Sequence, residues 1–104
     1  MSWKGRFVFA EDRIDKNVSE SPGVYQLEKV LEVVYIGSTE SLQTRLREHL
    51  HSGDQCIKGA AFFRYLETKF HEETKNTLLQ EYRRNNRGRS PECNKGGDEK
   101  SIFI

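Results

Sequence analysis

Residues 23–51 change their hydrophobic period once, and that change limits the possible folds more than any other feature of the chain. "GVYQLE" and "EVVYIG" are rich in β-branched and aromatic residues and read as two antiparallel strands. Pro22-Gly23 sets a turn ahead of the first run, because proline holds its own φ and glycine relaxes the next residue. After Gly37 the spacing becomes helical. Leu42, Leu46 and Leu50 recur every four residues and predict a helix over 39–51. Ser38 or Thr39 can cap it, Glu40 suits its positive end, and Gly53 closes it.

"AAFFRYLET" (60–68) predicts a third strand. "HEETKNTLLQEYRRNN" predicts a second helix, with acids in its first turn and arginines in its last. Its core stripe is Leu78 and Tyr82; Gly88 ends it, and "SPECN" crosses back as a loop. "RFVF" carries an edge-strand pattern inside an otherwise irregular opening, and "KGGDEKSIFI" is a polar tail with an apolar tip. The expected fold is α+β: a small three-stranded antiparallel β-sheet flanked by helices. One domain, residues 1–104, has its core at about 22–94. The strand–strand–helix order, with no G-x-G-x-x-G or P-loop, excludes a doubly wound nucleotide-binding unit.

Aromatic content of 11% argues for a folded domain despite 32% charged residues. No apolar run approaches the roughly 20 residues of a membrane span, and no signal peptide opens the chain, so the expectation is an intracellular protein. Within the cell that means cytoplasmic, nucleoid-associated or nuclear. Cys56 and Cys93 fit no zinc spacing, even with His49 and His51 added, and read as two reduced structural thiols. Residues 1–40 hold five Lys/Arg against seven Asp/Glu, and residues 41–104 hold twelve against nine. The excess includes Arg83, Arg84, Arg87 and Arg89, a cluster able to neutralise phosphates or to complement a helix end.

On a helical wheel Arg45 falls about 60° from Leu42, at the border of the apolar stripe, with His49 one turn on. Glu81 takes the equivalent border beside Leu78 and Tyr82. If both helices pack on one sheet, these three side chains converge near Tyr25 and Tyr35. Taken singly, the tyrosines are ordinary core aromatics, and Arg45 with Glu81 is an ion pair worth about 0–1 kcal/mol.

Together these residues resemble the GIY-YIG nuclease family. "GVY" (Gly23-Val24-Tyr25) and "YIG" (Tyr35-Ile36-Gly37) stand ten residues apart, tyrosine to tyrosine. Arg45 follows the second glycine by eight residues, and His49 matches a histidine found in many members. Glu81 in "LLQEYRRN" matches the family's glutamate, ahead of Glu67, Glu72 and Glu73, and Asn94 in "SPECN" matches its closing asparagine. Val24 replaces isoleucine. Ser38 stands where excinuclease-like members carry lysine and homing-endonuclease-like members carry serine. The resemblance implies an endonuclease that hydrolyses DNA phosphodiesters with one divalent ion, Mg²⁺ or Mn²⁺, held by Glu81. Tyr25, Tyr35, Arg45, His49 and Glu81 would be catalytic. Gly37, Ser38, Arg83, Arg84, Arg87 and Asn94 would bind substrate. It further implies DNA as partner, with a separate DNA-binding or targeting subunit. An inactive nucleic-acid-binding module on the same fold is the alternative.

Overall fold

Both faces of the run Gly23–Glu28 are buried, so this strand must lie inside a sheet covered on two sides. The computed structural model describes residues 3–94, and the tail at 95–104 lies outside the described residues. The elements are β1 (Lys4–Val8), α1 (Glu11–Asn17), β2 (Gly23–Glu28), β3 (Val33–Thr39), α2 (Leu42–Leu50), α3 (Gln55–Lys58), β4 (Phe62–Glu67) and α4 (His71–Asn85). The sheet is antiparallel throughout, in the order β1-β4-β2-β3. It therefore has four strands, not the expected three. The "RFVF" segment supplies the fourth: Phe7 pairs with Phe63, their rings 5.3 Å apart, and adds its apolar side chain to the core.

The pleat sorts the side chains. Tyr25 pairs with Gly37 and Tyr65, and Leu27 with Tyr35 and Phe63, so these residues share one face. That face packs with Ile14 of α1, Leu42 and Leu46 of α2, and Ile57 of α3. Gly23 lies on it too; a Cβ there would strike the Leu66 carbonyl and come within 2.7 Å of Leu42 Cδ1. The opposite face carries Val24, Ile36 and Leu66, which are buried under α4 and its one buried residue, Leu79. Leu78 and Tyr82, the expected stripe, are half-buried on either side of that contact.

Two helices were not anticipated. Helix α1 has a single apolar anchor, Ile14, fully buried, and is tied to α2 by Arg47–Asp15 and by His51–Glu11 at 2.7 Å. Helix α3 is one turn, capped by Asp54 accepting from the Cys56 amide at 2.9 Å. The cysteines also differ from expectation: Cys56 and Cys93 form a disulfide joining α3 to the segment after α4.

Strand β3 is an edge, and residues 91–94 cover it. The Cys93 amide donates to the Val34 carbonyl at 2.7 Å. Asn94 Oδ1 accepts from the Ile36 amide at 2.8 Å, and its Nδ2 donates to the Ile36 carbonyl at 2.9 Å. A carboxamide thus does what a further strand would do, blunting an open row of backbone groups. Asn94→Ala leaves both Ile36 groups unpaired in a buried setting. Denaturant unfolding should show a loss of roughly 2–4 kcal/mol.

Candidate active site

Helix α2 starts where Ser41, not Ser38 or Thr39, accepts from the Thr44 amide, and this phase puts Leu42 and Leu46 into the core. His49 lies one turn beyond Arg45 and goes under with the leucines, 6% exposed. Arg45 itself stays half-exposed. The border position read from the wheel thus resolves into a buried imidazole and an accessible guanidinium.

Beneath them, the Tyr25 hydroxyl lies 2.7 Å from His49 Nε2. Tyr25 is 1% exposed, and burial pushes its phenol well above the ordinary tyrosine range; Tyr35 adds to the effect and the Arg45 cation opposes it. Burial also lowers His49 to about 4, helped by the Arg45 charge and opposed by Glu48 and Asp54. A phenol that keeps its proton and an imidazole that refuses a second one share a neutral hydrogen bond at Nε2, its donor set by the imidazole tautomer. The rings of Tyr25, Tyr35 and His49 form a closed triangle, with centroids 5.1 to 6.0 Å apart.

Gly37 makes that triangle possible. A Cβ at this position would overlap the Tyr25 ring and hydroxyl and come within 2.9 Å of the Tyr35 ring. The missing side chain is therefore space for the Tyr25 phenol, where the resemblance has Gly37 binding substrate.

Above the triangle a cleft of about 250 Å³ is lined by Tyr35, Arg45, Glu48, His49, Ser52, Asp54, Ile57 and Cys93. Arg45 Nη1 donates to Glu48 Oε1 at 3.0 Å, which steadies its charge. Glu48 escaped the sequence reading, in which Cys93 is a structural thiol and not part of the site. The only sign of the first is its place three residues after Arg45, and of the second its place beside Asn94.

Other expected site residues lie elsewhere. Ser38 pairs with Val24 and so faces α4, away from the cleft. Asn94 spends its carboxamide on Ile36 and is 4% exposed, so it shapes β3 instead of meeting a ligand. Arg83 donates to Ser90 Oγ at 3.0 Å, while Arg84 and Arg87 are exposed at the end of α4. Glu81 does not join Arg45 and His49: it is exposed on α4, across the sheet from α2. Among the described residues it has no ion pair, and no cluster of three His, Cys, Asp or Glu side chains is placed to hold a metal.

The family model described as "GIY-YIG catalytic domain" matches residues 21–94. Among solved structures, the chain is similar to the N-terminal endonuclease domain of UvrC from Thermotoga maritima bound to magnesium as its catalytic divalent cation. That match has 24% identity and a TM-score of 0.57, covering 69% of this chain and 92% of that one. A point mutant of the same domain, also bound to its catalytic divalent cation, matches at 22% identity and a TM-score of 0.59, with the same coverage. A second mutant matches at 23% and 0.55, covering 78% of this chain and 93% of that one. At such identities the likeness is one of fold. No curated protein matches the chain.

Two outcomes follow from the triangle. Gly37→Ala should drive Tyr25 off His49, visible as loss of the low His49 pKa by NMR titration and a drop in stability of about 1–3 kcal/mol. Folded His49 titrates near 4 against an unfolded 6.5, so the unfolded chain takes up the proton first as pH falls. Stability from this group is complete above pH 6.5 and drains away between there and about 4. Denaturant midpoints should fall across that window, and fall less in His49→Gln.

Proposed function

Because the chain belongs to the GIY-YIG family of catalytic domains, we propose that it is a metal-dependent endonuclease hydrolysing DNA phosphodiester bonds. The observation that carries this reading is one cleft in which Tyr35, the Arg45 guanidinium and the neutral His49 stand over the buried Tyr25 hydroxyl. The guanidinium presents a planar fork of donors that fits phosphate oxygens. Being half-exposed, it can exchange the Glu48 carboxylate for a phosphate and hold the charge that develops on the non-bridging oxygens.

The two tyrosines divide the work. Tyr35 lines the cleft and is the phenol able to meet an attacking water. Tyr25 is sealed from solvent, and its hydrogen bond fixes the orientation of His49, while burial keeps that ring neutral. His49, edge-on to the Tyr35 ring, orients that phenol beside the cleft.

The resemblance assigns the metal to Glu81, whose exposed carboxylate, without an ion pair among the described residues, is a hard oxygen donor of the right chemistry for Mg²⁺ or Mn²⁺. But that carboxylate stands on α4, across the sheet from the cleft, and does not fit an ion acting on a phosphate held by Arg45. Glu72 and Glu73, in the first turn of the same helix, are the comparison residues.

DNA is supported as substrate by the family and by Arg84 and Arg87 exposed at the end of α4. A domain of this size would draw target choice from a separate DNA-binding or targeting subunit, inside the cell where DNA lies. No described helix is long and apolar enough to cross a membrane.

Nicking of supercoiled plasmid with Mg²⁺ tests the reading. The wild type should cleave, and Arg45→Ala should lose about 10²–10³-fold in kcat, while Glu81→Gln, Glu72→Gln and Glu73→Gln, all on α4 across the sheet from the cleft, should keep cleavage. A wild type that binds DNA and never nicks it sinks the reading in favour of an inactive binding module. Affinity should fall as salt rises, and less steeply in the Arg84→Ala/Arg87→Ala double variant. A salt-insensitive affinity removes those arginines from the interface.

A further inference from the structure

One covalent bond joins two walls of the cleft. Cys56 sits on α3, whose Ile57 and capping Asp54 form one side. Cys93 lines the same cleft, and its amide holds the Val34 carbonyl at the start of β3. The next residue, Asn94, clasps both backbone groups of Ile36, which lies between Tyr35 and Gly37. Pro91, fully buried, anchors the other end of this segment. The disulfide therefore bears on the strand that carries Tyr35 and on the Gly37 gap in which Tyr25 rests.

We propose that Cys56 and Cys93 are positioning residues, and that reduction of their disulfide loosens the Tyr35–Ile36–Gly37 stretch and so turns down cleavage. Reduction breaks the S–S bond; each sulfur gains one electron and one proton to become a thiol, while a dithiol reductant closes to its own disulfide. A protein acting on DNA inside a cell meets such reductants continually, so the bridge reports redox state where a buried apolar contact would not. Held open, the segment keeps the hydrogen bonds of Cys93 and Asn94, the burial of Pro91 and the partly exposed Lys29–Glu92 ion pair at 3.5 Å. The Ile36 amide, whose partner is the Asn94 side chain, is the group that feels this first. The control of cleavage rests on the nuclease reading, whereas the control of Ile36 does not.

Amide hydrogen exchange and plasmid nicking on the full chain, oxidised and then treated with dithiothreitol, test both parts. Exchange at Ile36 should rise about tenfold on reduction, with Leu27 and Phe63 changing much less, the pattern of a local opening. In parallel kcat should fall about tenfold or more, with KM moving less, because a small misplacement at a catalytic group is costly. Reoxidation should restore both. Cys56→Ser should behave as the reduced protein and ignore the reductant. Unchanged Ile36 exchange overturns the proposal. So does a uniform rise at Ile36, Leu27 and Phe63, which makes the bridge merely a brace for the whole fold. An oxidised protein with redox-dependent Ile36 exchange that never nicks DNA supports the positioning and refutes the nuclease reading.

Discussion

The hydrogen bond between Tyr25 and His49 is the constraint around which this domain is arranged. Neither group can be left unsatisfied after it leaves water, since an orphaned buried donor or acceptor costs about 1–3 kcal/mol. Each answers the other. The geometry that allows this is exacting: β2 must place Tyr25 opposite Gly37, and α2 must bring His49 down onto the phenol one turn after Arg45. A residue with a side chain at Gly37 would occupy the site of the Tyr25 ring. The guanidinium adds an electrostatic lock, since its charge disfavours a second cation on His49 and keeps that ring neutral. Motif letters spread over 25 residues are thus one packing problem with one solution.

That solution sits on an edge strand, and edges need management. On its inner side β3 pairs with β2; on its outer side the Asn94 carboxamide and the Cys93 amide stand in for a neighbour. A full fifth strand would have buried the Tyr35 end of β3. A short strap covers the backbone and leaves the cleft open above it. The disulfide stabilises this economy by limiting how far the strap can swing in either the native or the unfolded chain.

What the sequence disclosed followed from period and from turn chemistry. The paired strands, the Leu42–Leu46–Leu50 stripe and the basic end of α4 were legible because each repeats a pattern long enough to be distinctive. β1 was legible only as the edge-strand pattern of "RFVF", and α1 was not: Ile14 is a lone buried apolar anchor in a charged segment, and tertiary burial, not propensity, gives that helix its place. Cys56 and Cys93 are 37 residues apart, and only the fold brings their α-carbons to 5.7 Å. The resemblance gives Gly37 to substrate, and a glycine's empty side looks the same in sequence whether a ligand or, as here, a phenol fills it. Glu81 shows a further limit. A wheel tells which side of a helix a residue takes, not which face of the sheet that helix covers, and α2 and α4 cover different ones.

Burial finally separates two tyrosines that the motifs present as equals. Both rings lie on the same face of the sheet, 6.0 Å apart, and both border His49. Tyr25, on the central strand β2, has neighbours on each side and no route to solvent; its proton is held by burial. Tyr35, on the edge strand, has a cleft beside it and a cation across from it. Strand position alone therefore assigns one phenol to architecture and the other to contact with whatever enters. Exchanging their environments would require exchanging the centre and the edge of the sheet.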